Sequence, residues 1–361
     1  LLFKIGTLST LTRGHENFHA FTATSPNGPT SDSPLDGHDI GVYAETQLAP
    51  SDQWQLKAGV RYDSHDYPTS ATAHATADQV SPRVRLSFFP DPGTTLWVYY
   101  GRQFIPTNIE DLRAITSASQ GGVVSAPTLP ERDDFYELGV THRFPAGIVL
   151  KLSAYRKKST PGTDDTQVPG TAITTDVNIA QVRVTGIETV LEVRPPGPLS
   201  GFLNLALCHA YGFGGVSGGF FTTAPPSQPF DLDHDQRLSA TAGLTFGSRG
   251  WLLSATGIYG SGLTNGVTPN TPGRPFYDST IAATGPLNTG LFDFNGAFKV
   301  KPSFIVNASA GYTFLLGSVE VRPQLFVNNL FDLRYALKGT FFSGASVGRP
   351  RTVQLKVTLG V

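Results

Sequence analysis

The sequence has no methionine, one cysteine, and no apolar run approaching the length that carries a helix across a bilayer. Such a helix needs about 18 or more consecutive apolar residues. The uninterrupted apolar stretches here are a few residues long, which excludes transmembrane helices. The lone Cys208 excludes an intramolecular disulfide framework. Charge is sparse and balanced, with 15% charged residues and a formal net charge of -1. There is no basic stripe interleaved with aromatics, which removes nucleic acid as a partner class. The chain opens Leu1-Leu2-Phe3-Lys4 with neither Met nor a basic-then-apolar leader, so we expect it to begin inside a longer sequence.

What is present is turn and strand chemistry: 39 Gly, 27 Pro and 11% aromatics. Strict apolar and polar alternation over about ten positions marks a strand with one face in lipid and one in water. Val353, Leu355, Val357, Leu359 and Val361 alternate with Thr352, Gln354, Lys356 and Thr358. The same period of two runs through Val319–Asn328, through 304–313, and, near the other end, through Trp54, Leu56, Ala58, Val60 and Tyr62. The class is all-β, and the expected architecture is an antiparallel transmembrane β-barrel in one domain spanning 1–361.

About fifteen segments have membrane-crossing length; the first two lie near 1–10 and 15–24, and the last near 348–361. Their connections alternate. Tight turns at 49–52, 90–93, 144–147, 195–198, 247–250 and 316–318 are separated by long Gly, Pro, Ser and Thr-rich loops near 106–132, 160–180, 213–234, 263–301 and 331–347. Outer-membrane barrels have this asymmetry, with short periplasmic turns and long outer loops. With fifteen crossings and a C-terminus on the turn side, the first strand is expected to descend from the loop side.

Residues 325–336, Leu-Phe-Val-Asn-Asn-Leu-Phe-Asp-Leu-Arg-Tyr-Ala, resemble the penultimate-strand motif of TonB-dependent receptors, with Asn329, Leu330, Phe331, Asp332 and Tyr335 as its structural core. Pro350 and Arg351 resemble the lead into that family's last strand. Val80-Ser81-Pro82-Arg83, Tyr136-Glu137-Leu138-Gly139 and Val184-Thr185-Gly186-Ile187-Glu188 are similar to other phrases of the family, in order along the chain. The resemblance implies a barrel of about 22 strands filled by an N-terminal plug. On this resemblance the chain is expected to correspond to the C-terminal portion of such a barrel, without the plug and first strands. The ending Leu359-Gly360-Val361 departs from the aromatic terminus of many such barrels.

The resemblance further implies a Gram-negative outer-membrane receptor that takes up a scarce ligand, a ferric siderophore first, then cobalamin or an oligosaccharide. Its partners would be outer-membrane lipid, the TonB complex acting through the absent plug region, and the small-molecule chelate. Candidate ligand residues are Arg102 and Arg113, for attraction of an anionic chelate, and the loop rings Phe220, Phe221, Phe276 and Tyr277, for stacking. Lys151, Arg156, Lys157, Lys158 and Arg183 add positive charge on or near the polar faces, where solvated wall is the plainer reading. Trp54, Trp97, Trp251 and Tyr259 read as members of the interfacial girdle. Asp231, Asp233, His234 and Asp235 offer metal-ligand types, though such residues before a strand more often serve turn backbone. No nucleophile elbow, zinc-protease helix or phosphate loop is present, so neither catalysis nor a cofactor is expected. A plug-less porin or a surface-loop adhesive barrel are the alternatives, and a plug of about 100–150 residues upstream would distinguish the receptor.

Overall fold

The computed structural model describes residues 1–19, 30–68, 74–107, 128–167, 174–217, 229–232, 234–264, 291–293, 299–340 and 344–360. In chain order the strands are β1 (Leu2–His19), β2 (Thr30–Ser51), β3 (Trp54–Pro68), β4 (His74–Asp91), β5 (Thr94–Ile105), β6 (Glu131–Phe144) and β7 (Ile148–Ser159). Next come β8 (Gly162–Gln167), β9 (Thr174–Val193), β10 (Leu199–Ser217), β11 (Phe230–Asp231), β12 (Leu238–Ser248), β13 (Trp251–Gly260), β14 (Phe292–Asp293) and β15 (Lys299–Val300). The last are β16 (Ser303–Tyr312), β17 (Phe314–Leu316), β18 (Val319–Asn328), β19 (Ala336–Thr340), β20 (Gly344–Val347) and β21 (Thr352–Gly360). Seventeen of these form one sheet, while β14–β15 and β19–β20 are separate ribbons.

Every pairing in the sheet is antiparallel and joins neighbours along the chain, from β1–β2 through β16–β18 to β18–β21. Among the described residues, β1 and β21 are the two edges and do not pair with each other. Segments 1–10 and 15–24, expected as separate crossings, meet in one strand: β1 pairs with β2 continuously from Leu2↔Gln47 to His19↔Thr30. The long crossings described are therefore β1 to β7, β9, β10, β12, β13, β16, β18 and β21, fourteen in all. With that count β1 starts on the side of the tight turns, which corrects the expected descent from the loop side.

The alternation predicted from sequence sorts the side chains onto two faces. Outward lie Val60, Val84, Leu96, Val98, Leu138, Leu152, Ile187, Leu244, Leu253, Leu325 and Leu355, all exposed large apolar groups. Between the aromatic rows described next, the outward positions of β3 through β21 hold no Asp, Glu, Lys or Arg. In water such a belt is an aggregation surface, whereas in hydrocarbon it is the matched one. Two rows of rings border it. On the turn side Trp54 packs on Phe88 at 4.5 Å and Trp251 on Tyr312 at 4.8 Å; on the loop side Tyr100 packs on Tyr136 at 5.0 Å, in line with Tyr62, Tyr259 and Phe304. The rows are separated by the same interval on strand after strand: Trp54 to Tyr62, Phe144 to Tyr136, Trp251 to Tyr259, Tyr312 to Phe304. Eight steps of about 3.3 Å, tilted by about 40°, span roughly 20 Å between ring rows, in keeping with an apolar band about 25 Å tall.

The resemblance motif ties β18 to β21 at the loop side. Asn329, buried and with φ 51°, donates from Nδ2 to the carbonyls of Leu333 (2.8 Å) and Arg349 (3.2 Å) and accepts the Leu333 amide at 2.9 Å. Asp332, with φ 53°, accepts the Arg351 amide at 2.8 Å. The Leu330 amide donates to the Val306 carbonyl, which fastens the segment to β16. The Tyr335 ring occupies the space beside Gly348, where a Cβ would stand 1.9 Å from it, so only glycine lets the two segments meet.

Candidate functional site

The inward face carries the charge that the outward belt lacks. On β2 to β4, His65 meets Asp39 at 2.5 Å, Arg61 Nε donates to Asp63 at 2.6 Å, and Arg83 lies 3.4 Å from Glu45. Of these, Asp39, Arg61, Asp63 and Arg83 border a cleft of about 490 Å³ with Leu8, Tyr99 and Gln103. Pairing register places them together, since Leu8, Gly41, Asp63 and Gln79 are successive partners across β1 to β4 and so share one face.

On β6 and β7 the inward row holds a carboxylate pair around one amine. Lys157 Nζ donates to Glu131 at 2.7 Å and lies 3.3 Å from Asp133, itself almost fully buried. Glu131 also accepts the Thr163 amide at 2.6 Å. Glu131 is held by Lys157 and the Thr163 amide, whereas both Asp133 oxygens are buried without a hydrogen-bond partner and rest on the Lys157 charge.

The turn-side half of the same face differs. Trp97 is buried at 5% exposure and lies flat over Gly139, where a Cβ would come within 2.2 Å of the ring. Arg85 stands 5.0 Å and Lys151 5.6 Å from the Trp97 centroid, within cation–π range. With Arg143 and Glu137 they line a recess of about 350 Å³. Arg85, Arg143 and Lys151 form no ion pair among the described residues, so the recess presents three cations and one carboxylate. The arrangement suits an anionic group or an acidic protein surface bearing an apolar or aromatic face.

The expected site residues fall in different places. Arg113, Phe220, Phe221, Phe276 and Tyr277 lie outside the described residues, as does Asp233. Arg102 is described, and its register partner is Asp134 on the outward face, the face of Val98 and Tyr100. It also borders the cleft of about 490 Å³ beside Tyr99 and Gln103. Arg156, Lys158 and Arg183 also point outward, whereas Lys151 and Lys157 point inward. Trp97, expected in the girdle, belongs to the inward face. Arg85 and Arg143 were not singled out from sequence; Gly139, paired opposite Trp97, was the available signal for a ring lying on the inner wall.

Asp231 and Asp235 are held by their own neighbourhood. Asp231 accepts from His209 at 3.0 Å and Arg237 at 2.9 Å; Asp235 accepts from Arg237 at 2.5 Å and the Ala210 amide at 2.7 Å. His234 lies 3.5 Å from Asp164 on β8 and 3.1 Å from Lys338. Among the described residues, no group of three or more His, Cys, Asp or Glu side chains converges on one point.

An antiparallel meander with an uncharged, ring-bordered outward belt and a charged inward face defines the wall of a transmembrane β-barrel. Residues 4–330 match the family model described as TonB dependent receptor-like, beta-barrel, and the chain belongs to that family. Solved structures share the fold. The copper transporter OprC matches with TM-score 0.68 at 16% identity, over 98% of this chain and 54% of that one. The siderophore receptor PiuA from Acinetobacter baumannii matches with TM-score 0.62 at 16% identity, over 91% and 44%. The ferric yersiniabactin uptake receptor FyuA from Yersinia pestis matches with TM-score 0.64 at 15% identity, over 98% and 50%. The chain thus spans about half the length of the structures it matches. Family and structural neighbours are receptors and transporters rather than enzymes.

Proposed function

We propose that this chain is the C-terminal wall of an outer-membrane TonB-dependent receptor that takes up a scarce ligand, a ferric siderophore before a cobalamin or an oligosaccharide. The observation that carries the reading is the sorting of charge: none on the outward belt, and a dense lattice of it inward, within the sheet that matches the receptor family. A passive pore also needs a polar lumen, but the recess of Trp97, Arg85, Arg143 and Lys151 offers an apolar ring among cations, which suits contact with another protein surface such as a plug. Two of the matched structures are a siderophore receptor and a ferric yersiniabactin uptake receptor, which supports setting the siderophore class first in this proposal. Ligand capture in this proposal falls to the long loops, where Arg113, Phe220, Phe221, Phe276 and Tyr277 supply a cation and rings. The TonB complex would engage the plug region.

The test is uptake of a radiolabelled ferric siderophore by cells with and without the full-length protein, repeated after collapse of the proton-motive force. Accumulation that needs both the protein and the force is expected. Protein-dependent flux that persists without the force overturns the receptor reading in favour of a pore.

A further inference from the structure

The outward face breaks its own rule just beyond the loop-side ring row. Arg102, Asp134, Lys158, Arg183 and Tyr211 are successive register partners across β5, β6, β7, β9 and β10, so they form one row on the outer wall. Arg156 stands in the adjacent row, level with Tyr100 and Tyr136. Four cations and one carboxylate therefore occupy a strip directly above the apolar belt. Asp134, which accepts the Tyr100 hydroxyl at 2.8 Å and stands opposite Arg102 and Lys158 in register, offsets one of the four cations, and the strip keeps a net positive charge.

Lys158 and Arg183 face each other across the ladder, an arrangement that costs stability unless an anion lies between them. Arg156 and Lys158 are exposed and have no ion-pair partner among the described residues. Arg102 buries its Nε without a hydrogen-bond partner. Arg183 is positioned rather than neutralised: its Nε donates to Gln181 at 3.0 Å and its guanidinium lies 4.6 Å from the Phe213 centroid. On β3 and β4 the outward groups beyond the ring row include Asp66 and Asp78 and no Lys or Arg among the described residues, so the row of cations does not extend to those strands.

We propose that this strip is a docking site for the phosphate groups of an anionic glycolipid in the loop-side leaflet, a lipid bearing more than one phosphate on its headgroup. The depth fits, because the strip lies where headgroups begin, next to the tyrosines that mark the interface. The charge fits, because clustered Lys and Arg at a membrane boundary bind anionic headgroups and guanidinium pairs phosphate in bidentate fashion. The inference rests on the membrane reading made under Proposed function.

The full-length protein is reconstituted in phosphatidylcholine nanodiscs and titrated with bisphosphorylated lipid A. The K158Q/R183Q variant is expected to bind about 30-fold more weakly, about fivefold for each cation removed. The K57Q variant, on the inward face opposite Arg85, should bind as wild type does, and wild-type binding should weaken as salt rises. Equal binding by wild type and K158Q/R183Q, or wild-type binding indifferent to salt, overturns the proposal. Failure of the wild type to insert, seen before lipid A is added as a missing heat-dependent gel shift, overturns the membrane reading and this assignment with it.

Discussion

Asn329 concentrates several demands in one side chain. Its left-handed φ favours Asn or Gly, and its amide group makes three hydrogen bonds that join the end of β18 to Leu333 and to Arg349 ahead of β21. Asn329→Ala should lower the stability of the full-length protein by about 3 kcal/mol, since it combines a strained φ with backbone groups left unsatisfied in a buried site. Asn329→Gly removes the strain but not the lost bonds, so it should recover less than about 1 kcal/mol of that. Urea unfolding from lipid vesicles measures both, and equal stability of wild type and Asn329→Ala would refute the role. The motif was readable in the sequence, but its mechanism was not, because the bonds to Arg349 and Asn307 span 20 and 22 residues, separations no local pattern encodes. The cations show a different limit. Arg102 shares parity with Val98, which faces out, and Lys151 has the opposite parity to the outward Leu152; counting from the apolar residues separates them. Polar loops beyond the ring rows hide that parity, since alternation stops once a strand leaves the bilayer.

At the scale of elements, the membrane-crossing strands were legible because lipid enforces a period of two, and the tight turns were legible because Gly, Pro and Asp are concentrated there. The first strand was misdivided for a physical reason. Thr10–Glu16 has no apolar face and includes Gly14, so it reads as a turn, yet it continues β1 as a ribbon paired with β2 beyond the belt. Outside the bilayer a two-stranded ribbon is held by its backbone ladder and needs no apolar alternation. The register makes a direct prediction. Leu11 is the partner of His38, so the L11C/H38C double variant should cross-link on mild oxidation, while L11C/D36C should not, its partner sites being displaced by two residues. Cross-linking of neither pair would restore the two-strand reading with a turn near Arg13.

For the whole molecule, the decisive feature is that β1 and β21 are unpaired edges of the described sheet. Each crossing leaves about ten residues at membrane depth, and half of the backbone amides and carbonyls on an edge strand point away from its one partner. In hydrocarbon each unsatisfied group costs several kcal/mol, so two such edges outweigh the net stability of an ordinary domain. This chain covers 44% to 54% of the matched chains, and the remainder of such a chain is long enough to supply strands that join the edges. The isolated 361-residue chain is therefore expected not to form a stable monomer in detergent, and to aggregate or associate through its edges. Refolding into micelles, followed by unheated gel electrophoresis and protease digestion, tests this. A heat-modifiable, protease-resistant monomer would mean that β1 and β21 can close on each other. The wall would then be a complete small barrel, its lumen too narrow for a plug of ordinary domain size, and passive diffusion would become the better account of its charged interior.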